Sequence, residues 1–157
     1  MHPKAKEAAR TVAYSLDQFK WISDKVLVEY KRADRNTRNM LMEGFLLHAR
    51  ALRDFFRCSP EGQRDDVYAV DYLDELSEWN GADFCKHLQK NRQRINKKLV
   101  HLNYTGPSME GKWDHAVIHE EVMTAWSRFW AKLPEERRGW FERDFGQSPP
   151  ARTRPSP

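Results

Sequence analysis

Val12, Leu16, Phe19, Ile22, Val26 and Tyr30 follow one another at steps of three and four residues. That spacing puts all six on one face of a helix and predicts a long amphipathic helix over 6–31, with Lys, Glu and Asp on its other faces. The same period recurs downstream. Over 35–57, Leu41, Phe45, Leu52, Phe55 and Phe56, joined by Met42, Leu46 and Ala49, cover more than one face. A helix of that kind is central and touched from several sides. Gly44 within it costs ~1 kcal/mol relative to alanine, which marks a close helix crossing.

Pro60 and Gly62 end the second helix in a loop over 58–66. The stretch 67–79 has strand-like residue types, but Tyr68, Tyr72, Leu76 and Trp79 are helically spaced, so a short helix is expected there. A third long helix is expected over 82–102, burying Phe84, Leu88, Ile95, Leu99 and Leu102, with Gly106 and Pro107 beyond its end. A fourth is expected over 109–133, with Trp113, Val117, Met123, Trp126 or Trp130, and Leu133 facing inward. Pro134 then opens a shorter helix anchored by Trp140, Phe141 and Phe145. The expected fold is all-α, with no sheet. One helical bundle of four main helices plus shorter ones fills 1–146, and a disordered Pro-rich tail follows over 147–157.

With 157 residues the chain fits one domain and can bury a core without disulfides or metals. It has no run of about 18 apolar residues, so no membrane span is expected. Nor does a hydrophobic segment follow the basic start, as a secretory signal would require. The two cysteines, Cys58 and Cys85, make no disulfide framework and read as free thiols in a reducing cytoplasm.

The net charge of +4 is modest but segregated along the chain. Residues 61–84 hold eight acids against Arg64 alone, while 86–101 hold six bases and no acid. Two readings stay open. The segments pair and cancel, or the basic stripe (Lys86, Lys90, Arg92, Arg94, Lys97, Lys98) is exposed and attracts phosphates, as nucleic-acid-binding surfaces do.

No Gly-rich phosphate loop, CxxC pair or GxSxG elbow is present. The most suggestive stretch is RINKKLVHLNYT, residues 94–105. On a helix, Arg94 and His101 return to one face two turns apart, about 10.5 Å along the axis. Histidine titrates near neutral pH and suits proton transfer, and arginine is a permanently charged fork for phosphate oxygens. Without a metal or other cofactor, such a pair supports RNA cleavage. The 2′-hydroxyl attacks the adjacent phosphorus, His101 moves a proton, and Arg94 stabilises the developing charge. Asn96 is the candidate to orient the phosphate or the imidazole. Lys90, Arg92, Lys97 and Lys98 would add sequence-independent phosphate attraction.

An all-helical bundle with this Arg-x6-His near the end of a late helix resembles the HEPN superfamily. The resemblance implies a metal-independent endoribonuclease of a toxin or defence system, or a relative that binds RNA or a protein. It also implies a homodimer, with the active site where two motif helices meet, and a protein partner such as an antitoxin. The block GFLLHARALRDFF, residues 44–56, together with INKKLVHL and Trp113, is similar to small bacterial proteins, a likeness that implies no activity.

Other constellations point elsewhere. His115 and His119 in HAVIHEE stack on one helical face at a spacing that can hold Zn²⁺, with Glu120 or Asp114 as an added ligand or base. That makes a metal-dependent helical-bundle enzyme one alternative. A purely structural or interaction module is another. His48 lies among apolar neighbours and reads as a structural histidine, with Arg50 and Asp54 as candidate partners. The aromatic set Trp126, Phe129, Trp130, Trp140, Phe141 and Phe145 reads as core or dimer packing.

Overall fold

In the computed structural model of the protein, the described residues are 4–57, 66–74, 79, 85–100 and 113–142, with the side chains at 97, 98 and 100 outside the description. The first two helices are the ones the apolar period foretells: α1, Ala5–Glu29, and α2, Arg35–Phe56. Asp34 starts α2. Its carboxylate accepts the backbone N–H groups of Asn36 and Thr37 and the Thr37 hydroxyl, satisfying donors that the first turn leaves unpaired. Those bonds, the Thr37 hydroxyl foremost, hold the Asp34 carboxyl below the usual carboxylate range.

α1 and α2 pair as an antiparallel hairpin. Tyr14 meets His48 edge-on, Phe19 stacks on Phe45 at 5.1 Å, and Ile22 lies against Gly44, so contacts descend α2 as they ascend α1. Gly44 does mark a close crossing, because a Cβ there would stand 2.9 Å from the Ile22 Cδ1 methyl. Alanine at 44 gains ~1 kcal/mol of helix propensity and has only that terminal methyl to displace. Thermal unfolding of Gly44→Ala is therefore expected to match wild type within about 1 kcal/mol. Gly44→Leu must move the crossing itself and should cost ~1–3 kcal/mol. Equal tolerance of the two would show that close approach is not what the glycine serves.

The remaining elements pack on this hairpin. They are a 3₁₀ turn at Ala69–Tyr72, α3 at Lys86–Lys90, α4 at Arg92–Val100, α5 at His115–Lys132 and α6 at Glu135–Phe141. Among the described residues there is no strand, and no helix is long and apolar enough to cross a membrane. The fold is all-α.

Three sequence expectations are corrected in detail. The short helix over 67–79 is one 3₁₀ turn, because the Asp71 carboxylate reaches back to the Tyr68 N–H and closes the segment early. The helix expected over 82–102 is two, α3 and α4. Both the backbone and side-chain amides of Asn91 donate to the His87 carbonyl, which ends α3, and α4 restarts with Ile95 N–H bonded to the Asn91 carbonyl. Leu88 and Ile95 are nevertheless fully buried, as expected, while Phe84 and Leu102 lie outside the described residues.

On α5 the inward face is one residue out of the expected register. Ile118, Val122, Ala125 and Phe129 are buried, Val117 is exposed, and Met123, Trp126 and Trp130 are only partly buried. The reason is the seat of Phe129. Its ring lies 5.2 Å from Phe55, 5.3 Å from Phe141 and 5.5 Å from Trp126, with Trp79 at 6.1 Å and Tyr72 at 6.5 Å. Edge-to-face packing of that many rings fixes the rotation of α5. The polar ends of the cluster are satisfied too: Tyr72 Oη donates to the Ala5 carbonyl at 2.7 Å, and Trp79 Nε1 donates to the Phe56 carbonyl at 2.9 Å. The aromatic set is thus core, with Phe145 and the tail over 147–157 outside the described residues.

Candidate nucleic-acid interface

α3 and α4 carry the basic segment. Lys86, Lys90, Arg92 and Arg94 are exposed, and none makes an ion pair among the described residues. The acids expected to cancel them are engaged elsewhere. Asp66 accepts the Tyr68 hydroxyl, Asp71 accepts the Tyr68 N–H, and Asp74 pairs with Arg137 of α6 at 2.6 Å. Arg137 also donates to the Tyr72 carbonyl, so the described part of the acidic segment is tied to α6 and to itself.

Arg94 has a partner that nothing in its own segment announces. Its guanidinium lies over the Trp113 ring, 4.0 Å from the centroid. Stacking by one face leaves the edge N–H groups of a guanidinium available for an anion and limits how far the side chain swings. Asn96 is partly buried, and its Oδ1 is sealed from solvent with no hydrogen-bond partner among the described residues. Lys97 and Lys98 lie within α4 but their side chains fall outside the description, as does all of His101.

The helix that presents Lys86 and Lys90 is held from α5. Glu121 accepts the His87 N–H at 2.7 Å and the Leu88 N–H at 3.2 Å, one to each carboxylate oxygen, and so caps α3 from 34 residues away in the chain. Cys85, just before α3, supplies no side-chain cap. Its thiol is buried and pushed up to about 12, by burial first and then by the Glu121 carboxylate. It stays protonated at neutral pH and serves as packing rather than as a nucleophile.

The two histidines of HAVIHEE do not stand alike. His119 stacks on Phe19 at 5.7 Å, and its Nδ1 is 2.7 Å from the Ser23 hydroxyl on α1, a polar link across the α1–α5 crossing. His115, one turn earlier, is partly exposed. Among the described residues, no three His, Cys, Asp or Glu side chains cluster closely enough to hold a metal ion. His48 packs edge-on to Tyr14, and burial lowers its pKa. Its suggested partners pair with others: Asp54 receives Arg50 at 3.7 Å and also the buried Arg53.

Comparison with protein-family models, with curated proteins and with solved structures finds no match to this chain.

Proposed function

We propose that the α3–α4 surface binds RNA and that the protein is an RNA-directed, HEPN-like one with metal-independent endoribonuclease chemistry. The observation that supports this reading most is the set of exposed cations at 86, 90, 92 and 94 without ion pairs among the described residues, while the described acids of the preceding segment are engaged elsewhere. Unpaired exposed cations on one segment are a ready phosphate site. Arg94, stacked on Trp113, is the clamp for the scissile phosphate.

His101 is the general acid-base. It takes the proton from the 2′-hydroxyl as that oxygen bonds to phosphorus, and a proton goes to the departing 5′-oxygen, leaving a 2′,3′-cyclic phosphate and a 5′-hydroxyl. Asn96, Lys97 and Lys98 belong to the same site. A homodimer and a protein partner such as an antitoxin are part of the same reading.

The test is incubation of purified protein with single-stranded and structured RNA in EDTA, beside His101→Ala and Arg94→Ala proteins with unchanged circular dichroism. Wild type should cleave, and each variant should lose at least ~100-fold in rate. Replacing Lys90 and Arg92 together by Glu should weaken RNA binding and flatten its salt dependence, by a slope of about 1 for each lost phosphate contact. A wild type that retains no RNA at 50 mM salt would sink the reading.

A further inference from the structure

Five large apolar side chains stand on the outer face of the α1–α2 hairpin, from Tyr14 at 44% exposed to Val28 at 71%, with Leu47, Trp21 and Met40 between these values. Their spacing is regular. Tyr14, Trp21 and Val28 recur every seven residues on α1, and Met40 and Leu47 are seven apart on α2. Residues seven apart share one helical face, so each set is a stripe pointing away from the core. The antiparallel pairing of Tyr14 with His48 and of Ile22 with Gly44 brings the two stripes level. Leu47 then falls between the levels of Tyr14 and Trp21, and Met40 between those of Trp21 and Val28. The result is one alternating seam, Tyr14, Leu47, Trp21, Met40, Val28, about 21 Å long.

That seam has a centre. Tyr14 and Val28 lie seven residues to either side of Trp21, and Leu47 and Met40 lie about half as far to either side of its level. A two-fold axis at Trp21 therefore brings each apolar position of one copy onto an apolar position of another. Trp21 meets its own mate, Tyr14 faces Val28, and Leu47 faces Met40. Isologous dimers need this self-complementarity, and an unrelated partner does not impose it. The same axis sets Lys25 of one copy opposite Asp17 of the other, four residues to either side of Trp21. Lys25 already lies over the Trp21 ring at 5.9 Å, at the edge of the seam.

Area points the same way. The five residues together expose on the order of 600 Å², most of the ~800 Å² that each partner contributes to a standard interface. We infer that this face pairs two copies of the chain, α1 against α1, in a four-helix layer. None of its residues belongs to the basic α3–α4 set, so this inference and the RNA reading stand or fall separately.

Light scattering after size exclusion, on the full chain from 1 to 100 µM, should give twice the chain mass. Trp21→Glu and Met40→Glu alter exposed positions, should keep the helical circular dichroism, and should each weaken the dimer more than about 30-fold. Trp21→Cys should crosslink under oxidised glutathione well beyond wild type, whereas Glu136→Cys on α6 should not. A monomeric wild type overturns the inference, as does a dimer that both Glu variants leave intact. A monomer that sediments with phosphatidylglycerol vesicles would assign the face to a lipid surface and overturns it equally.

Discussion

Phe129→Ala is expected to lower stability by about 3–5 kcal/mol, the range for truncating a fully buried aromatic side chain. For a chain of this length that is a fall in Tm of about 10 °C or more. The size follows from where the ring sits. Phe129 is fully buried and touches rings from four other parts of the chain: Phe55 and Phe56 on α2, Tyr72 on the 3₁₀ turn, Trp79, and Phe141 on α6. Removing it opens a cavity that rigid neighbours cannot collapse into, and it also removes several edge-to-face contacts. Trp126→Ala takes away a larger ring from a partly buried position on the same helix, and it should cost clearly less. Thermal and denaturant unfolding of the two variants checks this. If Trp126→Ala proved the more damaging, the inward register of α5 would be the one the sequence alone suggested, and the core would be centred elsewhere.

Glu121→Ala should cost about 2 kcal/mol and, more tellingly, release α3 alone. A five-residue helix has no stability of its own in water. Here its first-turn N–H groups at His87 and Leu88 depend on the two oxygens of a carboxylate brought from α5. Charge-assisted bonds to a partly buried carboxylate are among the stronger ones, and alanine leaves both donors without a partner. Hydrogen exchange should therefore quicken at 87–91 by more than tenfold while α1 and α2 keep their protection. Glu121→Gln retains an acceptor but not the charge and should fall between. Unchanged exchange at 87–91 would mean that Leu88 packing holds α3 without the cap.

The same variant separates charge from position on the proposed RNA surface. Removing an acid raises the local positive potential, so electrostatics alone predicts tighter RNA binding by Glu121→Ala. If the geometry of Lys86 and Lys90 matters, binding weakens although no cation has been touched. Titration at two salt concentrations distinguishes the outcomes, because only the charge effect fades as salt rises.

Much of this molecule was legible in one dimension. The steps of three and four from Val12 to Val26 foretold α1. The broad apolar surface from Leu41 to Phe56 foretold a central α2, and Gly44 foretold the crossing. These succeed because burial of a helix face depends on local periodicity, which the order of residues carries whole. The basic run on α3 and α4 was legible for the same reason, since charge needs only a count.

What the order of residues left open was every choice between near-equal local options. Two apolar faces one residue apart on α5 differ little by themselves, and rings from four distant segments chose the one containing Phe129. Whether the acids would cancel the bases depended on where each side chain found a partner, and Arg137 claimed Asp74. The tie of His119 to Ser23, the Trp113 ring beneath Arg94 and the Glu121 cap on α3 join residues 96, 19 and 34 apart, with no spacing to announce them. Periodicity decides that helices form and which broad face is apolar. Only packing decides how far each helix turns and which polar atoms meet, because those energies exist once the elements touch.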